Sequence, residues 1–250
     1  MLPALFVSHG APTLILDDVP ARHFLATLSE RVKRPKAILA VSAHWGTREP
    51  EVNDVAVNAT IHDFYGFPDA LYRMQYPAPG APSLAARVAE LTGAKRDKSR
   101  GLDHGAWVPL MLGWPAADIP VAQLSIQPER DAAWHIALGG RLAPLRDEDI
   151  LILASGSFTH NLLEFRRFAG QAEPAWVSDF AGWMDEALLQ RRDDDLANYR
   201  RFAPGAARNH PTDEHLLPPF VAYGAGNGAP ERLHASQTFG ILRMDAYAFP

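Results

Sequence analysis

Short apolar runs alternate with segments of helical spacing along most of this chain. Four runs of small and β-branched residues predict buried strands: ALFVS (4–8), AILAVSA (37–43), IPVAQLSI (119–126) and ILILASGS (150–157). Continuous apolar strands that alternate with helices are typical of a sheet covered on both faces. The pattern therefore predicts an α/β fold with a central, mostly parallel or mixed sheet flanked by helices on both faces.

The remaining elements are marked by shorter signals. Helical spacing predicts helices at 22–32, 83–93, 103–114, 132–145 and 175–191. Ser83 is a plausible N-cap and Gly93 a plausible stop for one of them, and Thr212 is able to cap a further helix. VAVNA (55–59) predicts an edge strand and TFGILRM (238–244) a last strand.

The stretch 191–210 is charged and then rich in Gly and Pro, as linkers often are. Too little chain follows it to form another domain. We therefore expect a single domain over residues 1–250, because this length is sufficient for one large α/β domain.

Composition excludes several classes of partner. The net charge is −5 and no basic stripe is present, so we expect no nucleic acid partner. No apolar run reaches the roughly 18–20 residues that cross a bilayer, and the start lacks the basic region of a signal peptide. These features predict a cytoplasmic protein with no membrane partner.

The chain has no cysteine and ten histidines. Thiol nucleophiles, disulfides and thiolate ligands are therefore excluded. A metal ion in this protein would be held by imidazole and carboxylate groups, which suit Fe(II), Zn, Mn or Ni.

Three of the predicted strands are followed by a histidine within three residues. His9 follows ALFVS, His44 follows AILAVSA and His160 follows ILILASGS. Each alone is most simply a loop residue, but ligands of open α/β sheets bind at the carboxyl ends of the strands. His215 falls in the first turn of the helix after Thr212. Together these histidines favour a metal site.

The other histidines give weaker signals. His62 and His104 lie in Gly-punctuated, aromatic-flanked loops, where pocket and turn roles are equally plausible. The rest stand in charged or amphipathic contexts and are interpreted as surface or structural residues: His23, His135, His210 and His234.

Eight motifs occur in an order that resembles a known family. They are SHGAPT, SAHWGT, IHDFYGFP, YPAPG, DHGAW, QLSI, ASGSFTHN and TDEHLLP. In this order they resemble the class III extradiol ring-cleaving dioxygenases, specifically the 4,5-DOPA dioxygenase type. The resemblance runs from residue 3 to about residue 243 and implies an enzyme that opens a small aromatic catechol with O2 as co-substrate.

The resemblance also implies roles for individual residues. His9, His44 and His215 match metal-ligand positions, and His160 matches a histidine that is either a further ligand or the base. His104 matches a histidine near the substrate and dioxygen. The implied cofactor is one divalent metal ion per chain, Fe(II) for ring cleavage or Zn(II) as in related proteins.

The segment before the last ligand departs from the family pattern. Relatives commonly have Pro where this chain has Asp213. The aspartate adds a carboxylate beside the site. Glu214 and His215 are neighbours, and neighbouring helical side chains point about 100° apart. Only one of the two can face the metal, and we predict that it is His215.

An extradiol reaction needs a base and a substrate pocket. We predict His160 as the base that takes a phenolic proton and His104 as the donor to charge on oxygen. A flat ring needs aromatic walls, and the candidate substrate-binding residues are Trp45, His62, Phe64, Tyr65 and Phe67. Trp107 is a further candidate, and core packing is the alternative for these aromatic residues.

Two other functions fit the same histidines. Three imidazoles with an open position also make a zinc hydrolase, with Asp103 or Glu214 as the possible base. A non-catalytic binding protein of the same superfamily is the other alternative. The sequence does not predict the oligomeric state.

Overall fold

The computed structural model describes all 250 residues. Its strands, in chain order, are β1 (Ala4–Ser8), β2 (Ala37–Gly46), β3 (Glu51–Asn53), β4 (Lys95–Asp97), β5 (Val121–Ile126), β6 (Ile150–Gly156), β7 (Glu231–His234), β8 (Gln237–Thr238), β9 (Leu242–Arg243) and β10 (Ala246–Phe249).

Eight of these strands form one mixed sheet in the order β4-β3-β5-β2-β6-β1-β10-β7. The four central strands, β5, β2, β6 and β1, are parallel to one another. The next strand on each side is antiparallel to its central neighbour: β3 pairs with β5, and β10 pairs with β1. The predicted α/β fold with a mixed sheet is confirmed.

The α-helices connect and cover these strands. They are α1 (Pro20–Ala26), α2 (Leu28–Arg31), α3 (Asp69–Tyr72), α4 (Pro82–Thr92), α5 (His104–Gly113), α6 (Ala132–Leu142), α7 (Pro144–Asp147), α8 (Phe165–Phe168), α9 (Ala175–Leu189), α10 (Asp193–Ala197), α11 (Tyr199–Phe202), α12 (Ala206–Asn209) and α13 (Leu217–Ala225). Short 3-10 turns span Pro12–Ile15 and Glu214–Leu216. None of the helices combines the length and apolar character needed to span a membrane.

Alternate residues of the central strands point into two separate cores, as the pleat requires. In β2, Leu39 and Val41 face a core built with α4, α6, α9 and α13. Ile38 and Ala40 face the opposite core, built with α1 and α5. Because both faces are covered, the central strands are mostly apolar, although β5 carries the buried polar residues Gln123 and Ser125.

Two predicted strands are wrong. Residues 55–59 contribute only an isolated bridge from Val57 to Pro79, because the buried Asn58 amide donates to the backbone carbonyls of this region instead. The run 238–244 is broken at Gly240, whose φ is +75°, and it forms the small β8–β9 hairpin. The last strand of the main sheet is β10, which the sequence pattern did not mark.

Helix boundaries differ from the prediction at several points. The predicted helix 22–32 is divided at Thr27, whose hydroxyl donates to the carbonyl of Phe24 at 2.8 Å. Helix 83–93 begins at Pro82 without a cap from Ser83, whereas Gly93 ends it in the left-handed conformation as predicted. Proline also begins a new helix at Pro144, so the predicted helix 132–145 ends at Leu142.

The segment after Thr212 is also more irregular than predicted. His215 lies in a 3-10 turn over Glu214–Leu216, and α13 begins only at Leu217. Pro218 and Pro219 occupy the start of α13, where the missing N–H groups cost nothing. The turn holds His215 against the ends of β2 and β6.

Candidate metal centre

Three histidines from distant parts of the chain converge at the carboxyl end of the central sheet. His9 directly follows β1, His44 lies near the end of β2 and His215 lies in the 3-10 turn before α13. The Nε2 atoms of His9 and His44 are 3.0 Å apart, and those of His44 and His215 are 3.3 Å apart. All three Nε2 atoms therefore point toward one small region.

The outer nitrogens of the His9 and His215 rings bond to other side chains. His9 Nδ1 lies 3.0 Å from Ser155 Oγ, and the Ser155 hydroxyl donates to the carbonyl of Gly105. Ser155 must then accept from His9 Nδ1–H, which leaves the lone pair of His9 on Nε2. His215 Nδ1 lies 3.0 Å from Glu214 Oε1 in the same way. Such outer partners fix the orientation of metal-binding imidazoles.

Burial keeps these imidazoles neutral. The pKa of His44 is lowered to about 4, first by burial and then by the neighbouring His104. The pKa values of His9 and His215 lie well below the ordinary value, chiefly because both rings are buried. Neutral imidazoles have a lone pair to offer a metal ion at neutral pH.

The spacing and chemistry of this cluster fit a divalent metal ion. Nitrogen ligands about 2.1 Å from one ion are separated by about 3.0–3.4 Å for octahedral to tetrahedral angles, and the Nε2 separations lie in this range. Possible ligand atoms of His9, His44 and His104 lie within 4.8 Å of one another, as do those of His160, Glu214 and His215. The two groups adjoin through the contact between His44 and His215.

The extra carboxylate of Asp213 points away from this cluster. Its Oδ1 accepts from the hydroxyl of Tyr199 at 2.6 Å and pairs with the guanidinium of Arg200. Glu214 instead accepts from His215 Nδ1. Burial opposes the ionisation of Glu214, but the bonds from His215 and Thr212 lower its pKa to about 2.

His104 is held beside the cluster by a carboxylate. Asp63 accepts from the backbone N–H of His104 through Oδ1 and from its Nδ1 through Oδ2, both at 2.9 Å. Burial opposes the ionisation of Asp63, but these bonds lower its pKa to about 2. Asp63 Oδ2 also lies 3.6 Å from Nδ1 of His44. This carboxylate thus orients the ring of His104 and lies beside the ring of His44.

His160 lies against the ring of His215. The two ring centroids are 3.5 Å apart and the planes are inclined by 12°. Its backbone N–H donates to Asn209 at 3.0 Å. The pKa of His160 is lowered to about 4, mainly by burial and further by His104, while Glu214 raises it.

A cavity of about 220 Å³ opens above the histidines. His9, His44, His104, His160 and His215 line it, together with the candidate aromatic residues Phe64 and Phe67.

Four other aromatic candidates do not line this cavity. Trp45 follows His44 on β2 and stacks under the Arg100 guanidinium, 5.2 Å from the ring centroid. Tyr65 is 90% exposed. His62 Nε2 donates to the carbonyl of Met74, and Trp107 is fully buried with its indole N–H bonded to Ile61.

Sequence reasoning considered Asp103 only as a possible base of a hydrolase and overlooked its supporting role beside the histidines. Asp103 is a buried carboxylate that accepts from Ser42 Oγ at 2.6 Å, from Gln123 Nε2 at 2.5 Å and from Arg100 at 3.1 Å. It also caps α5 through the N–H of Ala106. Asp103 and Asp63 both stand beside a histidine in quoted motifs, and that adjacency was the available signal.

Gly105 permits α5 to approach the cluster closely. A Cβ atom at this position would lie 2.4 Å from Ser42 Oγ and 2.9 Å from Cδ2 of His44. A side chain here would therefore displace a ring that the cluster needs. Glycine in DHGAW is a packing requirement that the sequence alone did not reveal.

Comparison with known proteins places this cluster in a family. Residues 3–249 match the family described as the catalytic LigB subunit of aromatic ring-opening dioxygenase. The chain belongs to the LigB family. The match covers all the strands of the main sheet and every histidine of the cluster.

Individual LigB-family relatives cover nearly the whole chain. A protein of Beta vulgaris named 4,5-DOPA dioxygenase extradiol is 45% identical over 98% of this chain and 95% of its own length. An Escherichia coli K12 protein of the same name is 41% identical, with coverages of 91% and 86%. A crystal structure of an uncharacterized Escherichia coli K12 protein has a TM-score of 0.83 at 34% identity, covering both chains completely.

Membership of the LigB family decides between the functions that the sequence left open. The protein is an aromatic ring-opening dioxygenase. This confirms the predicted enzyme class and does not support a zinc hydrolase or a non-catalytic binding protein.

Proposed function

We propose that this protein opens the ring of a small catechol outside the diol, using a divalent metal ion held by His9, His44 and His215. The convergence of their Nε2 atoms at 3.0 and 3.3 Å carries this proposal. Relatives named 4,5-DOPA dioxygenase extradiol support a catechol substrate and the extradiol position of cleavage.

Fe(II) is the metal we propose for ring cleavage. The three imidazoles would hold such an ion, and the ion would supply binding of the catechol and O2 together and the transfer of electrons between them. Ser155 and Glu214 would fix the rings of His9 and His215 around it through their bonds to the Nδ1 atoms. Phe64 and Phe67 line the cavity and would bound the flat ring of the substrate.

His160 is our candidate for the base. It lines the cavity, and its ring is neutral at neutral pH because burial lowers its pKa to about 4. A neutral imidazole can accept the proton of a catechol hydroxyl. The stacking on His215 would hold its ring at the edge of the metal site.

His104 is our candidate for the group that faces dioxygen. Asp63 accepts a hydrogen bond from Nδ1 of His104, so Nε2 is the ring nitrogen that remains to face the cavity. The bond to Asp63 fixes the direction of Nε2, which would then face an oxygen that gains negative charge. Asp63 would thus serve as a positioning residue.

Anaerobic purification and reconstitution test this function directly. The metal-free protein is loaded with Fe(II) or with Zn(II), and O2 uptake is followed with a panel of catechols. We expect Fe(II)-dependent uptake of one O2 for each catechol consumed, with a ring-opened product. Turnover with zinc alone, or no uptake with any catechol, would contradict the proposal.

A further inference from the structure

The lining of the cavity above the histidines contains no lysine or arginine that could pair with a charged substituent on the substrate ring. Its volume of about 220 Å³ is below the roughly 300–1,000 Å³ of pockets for drug-sized ligands. Apart from the histidines, Gly10 and Ser157, the lining is apolar and consists of Ala11, Pro12, Phe64, Phe67, Leu162 and Leu242.

The single hydroxyl of the lining is already engaged. Ser157 Oγ donates to the carbonyl of Thr159 at 2.8 Å. It therefore has no proton left for a carboxylate. The lining thus contains neither a free hydroxyl donor nor a lysine or arginine.

The nearest arginine in sequence is neutralised by acidic partners. Arg243 follows the lining residue Leu242 and forms two hydrogen bonds to Asp245, at 2.8 and 2.9 Å. It also lies 3.4 Å from Glu173. The carboxylates that bond the site histidines, Asp63 and Glu214, add negative charge beside the cavity.

The rim of the cavity, by contrast, meets water. Leu162 lines the cavity and is 59% exposed, and the adjacent Leu163 is 89% exposed and lies outside the lining. A charged group that extends beyond Leu162 would keep its hydration. A charge attached directly to the ring would be desolvated among apolar side chains, which is unfavourable when no partner is present.

Resting on the proposed function, we infer that this enzyme selects catechols by where a substituent carries its charge. Neutral substituents, and carboxylates separated from the ring by a spacer that reaches the rim, are accepted. A carboxylate attached directly to the ring is rejected. The apolar lining around Leu162 and Leu242 is the specificity element.

Four catechols separate charge from electronic effects. Methylcatechol is neutral, dihydrocaffeate carries its carboxylate on a two-carbon spacer, and protocatechuate carries it on the ring. Methyl protocatechuate withdraws electrons from the ring as well but is uncharged. With the Fe(II)-loaded protein we expect kcat/KM for the methyl ester to exceed that for protocatechuate by at least about tenfold.

Dihydrocaffeate should be within a few-fold of methylcatechol. Equal kcat/KM values for protocatechuate and its methyl ester would overturn the inference. So would a dihydrocaffeate value as low as that of protocatechuate, because the spacer would then give no advantage.

Two matched variants locate the effect. Leu162→Arg places a cation at the rim of the lining and should reduce the preference for the ester over protocatechuate by about tenfold. Leu163→Arg adds the same charge outside the cavity and should leave this preference unchanged. Equal effects of the two variants would show that general electrostatics, and not the lining, sets the selectivity.

Measurements of binding test the inference even when no turnover is observed. If no catechol is consumed, the proposed function fails, and anaerobic calorimetry with the metal-loaded protein still measures the affinities for protocatechuate and its ester. Preferential binding of the ester would support the charge selection. Equal affinities would refute it.

Discussion

The rings of His160 and His215 lie almost parallel, with centroids 3.5 Å apart and planes inclined by 12°. The rear face of a proposed metal ligand is therefore covered by the imidazole that we assign as the base. This arrangement gives His160 two separable properties, a flat ring that supports His215 and a nitrogen that can accept a proton.

Two substitutions at His160 distinguish these properties. His160→Phe keeps a flat ring against His215, and His160→Ala removes it. If His160 is the base, both variants should retain metal and catechol binding but lose turnover by about 10²–10⁴-fold. The loss should become smaller as pH rises, because the substrate then arrives deprotonated.

Metal content and pH profiles of both variants decide the outcome. Loss of metal in both variants, with no recovery of activity at any pH, would make His160 a ligand. Loss of metal in His160→Ala alone would assign it a supporting role for His215.

The proposed ligands give a direct test by metal analysis. His44→Ala should remove most of the bound metal while the protein stays folded, because the His44 ring lies at the end of the strand and outside the apolar cores. His9→Ala and His215→Ala should behave alike. His23→Ala, an exposed histidine paired with Asp18, is the control and should retain full metal content. Near-normal metal content in His44→Ala would contradict the assignment.

Asp63→Asn tests the orientation of His104. The amide cannot accept from both the backbone N–H and Nδ1 of His104 as a carboxylate does, so the ring should lose its fixed position. We expect turnover to fall by about 10–100-fold, with a slower reaction of the anaerobic catechol complex with O2.

The matched control for this variant is Asp69→Asn, an exposed carboxylate on the same connection. It should react with O2 at the wild-type rate. A wild-type O2 reaction in Asp63→Asn would mean that the clamp on His104 is only structural.

Phe64 and Tyr65 are adjacent residues with opposite environments. Phe64 lines the cavity and is 5% exposed, whereas Tyr65 is 90% exposed. Phe64→Leu should raise KM for catechols, since the substrate ring loses an aromatic wall. Tyr65→Ala should leave KM unchanged. An equal change of KM in the two variants would place the substrate outside the cavity.

Two buried histidines outside the site should make the stability of the metal-free protein depend on pH in the acid range. Burial lowers the pKa of His135 to about 4, and that of the buried His210 to about 3. Both rings regain an ordinary pKa near 6.5 on unfolding, so the unfolded chain binds more protons below that pH. The contribution of these two histidines to the free energy of unfolding is therefore fully present above pH 6.5. It is lost as the pH falls from there through the folded pKa values.

Urea unfolding between about pH 7.5 and about pH 4.5 measures this slope. Each buried histidine should contribute at most about 1.4 kcal/mol per pH unit. His135→Phe should reduce the slope, and the exposed His23→Gln should not. A free energy that stays constant over this range would contradict the burial of neutral imidazoles.

The central part of the fold was predictable because its signals are local. Strands such as Ala37–Gly46 and Ile150–Gly156 are covered on both faces, so apolar side chains continue along the whole run. The edge strands were not predictable. Lys95–Asp97 has three charged residues, and it is a strand only because it pairs with β3.

The candidate site was likewise predictable only in part. Histidines at the ends of strands are visible in the sequence, and the structure brings His9, His44 and His215 together. Which neighbours face the cavity depends on the direction of each side chain. Trp45 and Tyr65 are adjacent to cavity residues, but neither lines the cavity.

The pairing of β10 with β1 means that residues late in the chain must be synthesised before the strand that leads into His9 is fully paired. β1 leads into His9, and its outer edge is completed by Ala246–Phe249. His215 itself lies far along the chain from His9 and His44. A nascent chain on the ribosome would therefore display the first two histidines long before the third exists, and the set of three ligands would be complete only after synthesis has passed His215.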